Sequence, residues 1–255
     1  QSETFRNKGG NLVNGKGALY YGIDGEWTAF TSYVTDTNGV LTVGKVERKV
    51  YGSTTNSEQV SGKQWVYGGM RMGGRSFYAL DLSDIDKPYL KLHIEPNTGN
   101  IYSYDPVSKN MTTKSFQDIK QMGQSWSKPV LGYVNWKGQR KLVMIVGGGY
   151  DAGGPNGDGI YENNIRTGYA GYEKYDYKQT NGIGSGVYMF DAENGDLLWK
   201  ASSTNKSDSK VTYVSHNDLK YSVVSQIQIV ERNDDGLIDH LYFGDLAGQA
   251  FRVDF

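Results

Sequence analysis

Apolar residues in this 255-residue chain come in runs too short and too often interrupted to make helices, and this interruption constrains its fold more than any other feature. Helical periodicity over ten or more residues is missing almost everywhere, and "TKSFQDIKQMG" is the single modest helix candidate. Fourteen stretches of 5 to 10 residues read instead as strands bounded by Gly, Asn, Asp or Lys-Gly turns. They run from "ALYYGI" and "WTAFTSYV", through "SFYALDL", "RKLVMIVGGG" and "YSVVSQIQIV", to "HLYFGD" and "QAFRVDF". The composition agrees, with 34 Gly and 20 Tyr against 5 Pro. Gly supplies positive φ in tight turns, while Tyr, Val and Thr fill pleated surfaces. The chain is expected to be all-β.

Three segments share one plan: "WVYGGMRMGGRSFYALDL", "VMIVGGGYDAGG…GVYMFDA" and "LYFGDLAGQAFRVDF". In each, an apolar strand ends at Gly, a Gly-bearing turn follows, and a second strand closes on apolar-x-apolar-Asp or a near variant. Recurrent strand units of this kind suit β-propeller blades, each of which hides its faces only against its neighbours. The repeated glycines, near 69, 148 and 244, are 79 and 96 residues apart, so a propeller requires insertions. The expectation is a single modified β-propeller domain over 1–255, a partial one of about three to four blades. A β-sandwich is the competing architecture.

Two stretches read as loops. "YGSTTNSEQVSGKQ" is polar and looks like a solvated connection. Residues 150–186 form a Tyr- and Gly-rich insertion far longer than an ordinary connection, carrying Tyr161, Tyr169, Tyr172, Tyr175 and Tyr177. Tyrosines there offer a binding surface, or else pin the loop onto its own domain.

The balance of 27 Lys and Arg against 28 Asp and Glu removes the positive field of a nucleic-acid binder. With no Cys, disulfides, thiol metal sites and thiol nucleophiles are excluded, and the redox compartment stays open. No apolar run approaches the roughly 18 residues of a membrane span. Gln1 opens without a charged or apolar leader, so the chain is expected to be a mature product or a piece of something longer.

The densest local chemistry is "ERNDDGLIDHLYFGDL". Four carboxylates and an Asn crowd nine residues around one Gly, and like charges this close repel unless a cation sits among them. Counted from Glu231 at position 1, Asn233 falls at 3, Asp235 at 5, Gly236 at 6, Leu237 at 7 and Asp239 at 9. Alternate residues then aim oxygens at a common point, Gly permits the sharp turn, and Leu237 offers a backbone carbonyl. Hard oxygen ligands in a loose cage favour Ca²⁺ over Mg²⁺. An EF-hand is ruled out, because position 12 is Tyr242 and a strand-like run follows in place of a helix. A plain Asx-rich turn is the alternative. A weaker copy, Asn156, Asp158, Gly159 and Glu162, has Gly154 at position 1.

Other motifs fail their context. Gly69, Gly74, Arg75 and Ser76 have P-loop spacing but precede a strand, and Gly147, Gly149 and Ala152 precede "GGPNGDG", which is no helix. His93, His216 and His240 lack metal-pair spacing. His93 is expected to be structural, and His240 a surface residue tuned by the acidic loop. No nucleophile elbow or zinc-protease motif occurs. Hydrolase chemistry stays open with nothing arguing for it, and the chain is expected not to be an enzyme.

Taken together, "GGMRMGGRSFYALDLSDIDKP", "GQSWSKPVLGYVNWKGQRKLVMIVGGGYDAG" and "GVYMFDAENGDLLWKAS…SVVSQIQIVERNDDGLIDHLYFGDLAGQAFRVDF" resemble the C-terminal propeller of the PilC/PilY family of type IV pilus tip-associated proteins. The resemblance spans roughly Gln64 to Phe255. It implies a quinoprotein-like propeller that caps or primes the pilus and acts in biogenesis, surface adhesion, twitching motility and virulence. Minor pilins, the pilus tip and a host or abiotic surface receptor would be its partners, and the bacterial cell surface, outer membrane or fimbrium its place. It also implies calcium ligation by Glu231, Asn233, Asp235, the Leu237 carbonyl and Asp239, with occupancy regulating pilus extension and retraction. Family members are longer, so a fragment is expected. Two other functions compete. "MFDAENGDLLWK" resembles the blade motif of pyrroloquinoline-quinone oxidoreductases, and the Tyr-rich insertion would suit a carbohydrate-binding propeller.

Overall fold

The computed structural model describes residues 22–163, 165–168, 171–172, 175–206 and 208–255. The strand read at "ALYYGI" lies mostly outside them, as does Tyr169. In chain order the first strands are β1 (Trp27–Ser32), β2 (Val34–Thr35), β3 (Leu41–Thr42), β4 (Lys45–Lys49), β5 (Ser57–Ser61), β6 (Lys63–Gly69), β7 (Phe77–Asp81), β8 (Tyr89–Glu95), β9 (Asn100–Asp105) and β10 (Asn110–Ser115). Then follow β11 (Val130–Trp136), β12 (Gln139–Gly147), β13 (Ile160–Glu162), β14 (Ile165–Gly168), β15 (Val187–Asp191), β16 (Leu197–Ser202) and β17 (Thr212–Ser215). The last three are β18 (Gln228–Val230), β19 (His240–Gly244) and β20 (Ala250–Asp254).

The protein is all-β, built from several open sheets. Sheet 1 runs β1-β6-β7-β8-β9-β10, sheet 2 runs β11-β12-β15-β16-β17, and sheet 3 runs β18-β19-β20. Small two-stranded sheets, β2-β3, β4-β5 and β13-β14, stand beside them. Pairing is antiparallel except between β16 and β17. The three repeated segments become one pair in each large sheet: β6 with β7, β12 with β15, and β19 with β20.

The sheets stack in succession. One core joins sheets 1 and 2 through Tyr67, Phe77, Leu92 and Ile94 on one side and Met144, Tyr188 and Phe190 on the other. A second joins sheets 2 and 3 through Val143, Ile145, Met189 and Trp199 against Leu241 and Phe243. Sheet 2 is therefore buried on both faces, which explains why "KLVMIVG" and "VYMFD" are apolar without alternation. Three layers sharing a central sheet differ from the two-layer sandwich weighed from the sequence.

Glycine decides how each sheet hands over to the next. A Cβ on Gly69 would lie 2.5 Å from the Ser125 carbonyl oxygen, and one on Gly147 2.3 Å from that of Val223. At both places the segment entering the next sheet crosses the end of an inner strand with no room for a side chain. The Ser125 carbonyl accepts from Arg71 N (3.2 Å), and the Val223 carbonyl from Gly149 N (3.0 Å). Between sheets 1 and 2, Asp118 accepts from the fully buried Lys200 ammonium (2.9 Å) and the Tyr213 hydroxyl (2.7 Å).

Several local expectations are corrected. The supposed loop "YGSTTNSEQVSGKQ" contains β5 and the start of β6, because Ser57–Ser61 pairs with Lys45–Lys49 in a polar hairpin that lacks the apolar signal of a strand. "TKSFQDIKQMG" is no α-helix: Lys114 and Ser115 close β10, and only Gln117–Gln121 makes a 3-10 turn. In "YSVVSQIQIV" just Gln228–Val230 forms a strand, since the preceding residues are used in the crossing over Gly147. The insertion 150–186 carries its own hairpin, β13-β14.

Candidate metal site

The acidic stretch is the connection between β18 and β19, whose last pair is Val230 with His240. The same connection in sheet 2, between β11 and β12, needs only Lys137 and Gly138, both at positive φ. The longer turn in sheet 3 is thus an elaboration of a position that two residues can close.

Within it, Asp234 (φ 57) and Gly236 (φ 75) occupy the left-handed region and fold the chain back on itself. Glu231 Oε1 accepts from Gly236 N (2.7 Å), Asn233 Oδ1 from Asp235 N (3.3 Å), Asp235 Oδ1 from Leu237 N (2.8 Å), and Asp239 Oδ2 from Arg232 N (2.6 Å). All four side chains named from the spacing therefore turn into the loop, as a backbone of alternating residues dictates. Asp234, at the non-ligating position 4, is exposed and carries no such bond. The Leu237 carbonyl accepts no hydrogen bond among the described residues. None of the four carboxylates is ion-paired to Lys, Arg or His there. The carboxylates are not drawn together to the point where three of them form a ready cluster for a metal. The donor set fits a hard cation in kind, with carboxylate, amide and free carbonyl oxygens on one turn.

Two contacts hold the loop against its neighbours. Ile238, buried in the second core, donates its N–H to the Tyr133 carbonyl (2.7 Å) and lies over Gly132. Arg140, stacked over Tyr133, donates from Nη1 to the Asp235 carbonyl (3.2 Å), leaving the Asp235 carboxylate to the loop. Sequence reasoning passed over both residues: Arg140 is 95 positions from its partner, and no local signal links them.

His240 is not a surface residue, as had been expected. It is buried, and its Nδ1 lies 2.7 Å from Asp254 Oδ1, because its strand faces β20. His93 sits between the rings of Tyr78 and Tyr102, with Nε2 3.1 Å from Ser76 Oγ, and burial pushes its pKa down. His216 is exposed, 3.7 Å from Asp218. Arg75, from the rejected P-loop spacing, is buried and donates to the Met122 and Lys120 carbonyls.

The weaker copy of the metal spacing is differently employed. Asp158 is buried and accepts from Gln124 Nε2 (3.2 Å) and the Tyr161 hydroxyl (2.6 Å), while Glu162 is exposed on β13. In the same insertion Tyr177 donates to buried Asp151, and Tyr150, Tyr172 and Tyr177 pack ring against ring. Burial pushes the Tyr172 phenol up to about 12. These rings fasten the insertion beside the end of β12 at Tyr150 and Asp151, and of its described tyrosines only Tyr175 is fully exposed. Among the described residues no helix is long and apolar enough to cross a membrane.

No family model matches the sequence, and no curated protein matches it. Among solved structures, the crystal structure of the Pseudomonas aeruginosa PilY1 C-terminal domain is similar to this chain at 17% identity and a TM-score of 0.46, over 88% of this chain. The chain spans 38% of that one's length.

Proposed function

We propose that this chain is a calcium-binding, non-enzymatic β-propeller module of three to four blades belonging to a type IV pilus tip-associated surface protein. On this reading it acts extracellularly in pilus biogenesis, adhesion and twitching motility, with minor pilins and a surface receptor as partners. The pilus part rests on the resemblance of the three long segments between Gln64 and Phe255. The propeller part is supported by the repeated strand pairs and the two glycine crossings.

The calcium part is carried by one observation. Glu231, Asn233, Asp235 and Asp239 turn their oxygens into a single loop in which, among the described residues, neither Arg232 nor the neighbouring Arg140 pairs with a carboxylate, and one carbonyl, at Leu237, is unengaged. A cation there relieves the repulsion among the carboxylates and ties β18 to β19, and the ion's role on this reading is structural. The chain's own residues do the rest: Ile238 keeps the loop seated on sheet 2, and Arg140 leaves the carboxylates free.

Melting of the purified chain in calcium and in excess chelator tests this. At a hundredfold excess over Kd, calcium should add about 2.7 kcal/mol, and Asp235→Ala or Asp239→Ala should abolish the gain. Identical melting curves with and without calcium would remove the metal. Separately, bacteria carrying Asp235→Ala and Asp239→Ala in the parent gene should lose surface pili or attachment, and unchanged piliation and attachment would remove the pilus role.

A further inference from the structure

An open cleft of about 900 Å³ lies between the edge of sheet 1 at Trp65 and Asp81 and the small β4-β5 hairpin. Trp65, Asp81, Tyr89 and Lys91 line it, with Lys63 and Ile85 at its edges. Lys91 is unusual for its type, being only 8% exposed. It owes this to an irregularity in β8: Ala79 pairs with Leu92 and Leu80 with Leu90, which leaves Lys91 as the unpaired extra residue. A bulge of this kind re-aims a side chain, and here it lays the ammonium 3.8 Å from the centre of the Trp65 ring.

That ammonium has a ring face but no hydrogen-bond acceptor. No bond or ion pair to Lys91 exists among the described residues, and the neighbouring acids are occupied. Asp81 Oδ1 accepts from Ser83 N (2.9 Å), and its Oδ2 accepts from Trp65 Nε1 (2.7 Å) and the Tyr89 hydroxyl (2.8 Å). Glu193 is taken by Lys63 at 2.6 Å. The ammonium tip opens into the cleft, so water or a bound anion is the acceptor left to it beside the Trp65 ring. Burial pushes the amine's pKa below the ordinary lysine range, against the pull of Asp81.

We propose that this cleft binds an organic carboxylate, which accepts a hydrogen bond from the Lys91 ammonium while its apolar part lies against Tyr89 and Ile85. With Lys63 paired to Glu193, the lining sets Lys45 and Lys91 against Asp81 and Asp84, which leaves no positive field for a dianionic phosphate and room for one carboxylate at Lys91. Ile85 is 74% exposed at the rim, where a hydrocarbon stem would cover it. The carboxylate could be that of a small organic acid or of a peptide C-terminus. This site is independent of the calcium loop.

The test follows the Trp65 indole N–H resonance of the intact chain during titration with sodium acetate at constant ionic strength. A saturable shift is expected, with affinity at least about tenfold weaker in Lys91→Met, the loss of one charge-assisted hydrogen bond. Ile85→Asp, an exposed change that leaves the fold alone, should weaken binding by a similar factor and decides the matter if Lys91→Met does not fold. Acetyl-glycyl-alanyl-leucine as free acid and as amide separates the sources. An acid tighter than acetate identifies a peptide C-terminus, and an acid no tighter than acetate identifies a small organic acid. A shift that never saturates, equal binding by Lys91→Met, or an amide as tight as the acid overturns the proposal.

Discussion

Asp81, Asp191 and Asp254 each close the second strand of a repeated pair, and each accepts a hydrogen bond from a different kind of side chain. The donors are Trp65 Nε1, Lys141 Nζ and His240 Nδ1, all at 2.7 Å. The shared position is set by the strand register; the partner is whatever the preceding inner strand presents. Burial acts to raise the pKa of Asp81, but hydrogen bonds from Ser83, Tyr89 and Trp65 outweigh it and hold the carboxyl below its usual range. A depressed folded pKa contributes stability above the unfolded value, near 3.9 for Asp, and loses it as pH falls through the folded value. Tyr89→Phe removes one donor and should therefore cost about 1–2 kcal/mol at neutral pH. That difference should vanish in acid once Asp81 is protonated, as urea unfolding of both proteins across pH would report. The closing Asp was legible in the sequence as part of the apolar-x-apolar-Asp ending. Its partners were not, because each lies on another strand.

Elements show the same division. The acidic turn was legible because its nine residues are contiguous and a backbone of alternating side chains settles where they point. The polar hairpin β4-β5 was not, since neither strand has an apolar face to give alternation a meaning. The strand-end glycines repeat in sequence, yet the structure gives them unequal duties. Gly147→Ala would drive a methyl group into the Val223 carbonyl at 2.3 Å, whereas at Gly244 the nearest neighbour, the Gln249 carbonyl, is 3.4 Å away. The first substitution should cost about 2–3 kcal/mol, in the range of overpacked sites, and the second under about 1 kcal/mol. Denaturant midpoints of the two variants check this, and equal losses would show that the crossing over Gly147 is not rigid.

For the whole molecule, the two cores place sheet 2 between sheets 1 and 3. Trp199, buried in the second core with its ring 5.5 Å from that of Phe255, is a main joint between sheets 2 and 3. Trp199→Ala should cost about 3–5 kcal/mol, and amide exchange should quicken in β18, β19 and β20 before it does in sheet 1. Uniform loss of protection would mean that the sheets unfold as one unit. By itself the sequence determined the all-β class, the three matched strand pairs and the oxygen-lined turn, because each depends on residue spacing within one short stretch. Only the tertiary structure decided that sheet 2 is covered on both faces, that Ile238 and Arg140 seat the turn, and that a bulge buries Lys91 over Trp65. Those facts depend on which distant segments cross and how closely their backbones approach, and side-chain order along the chain does not encode that distance.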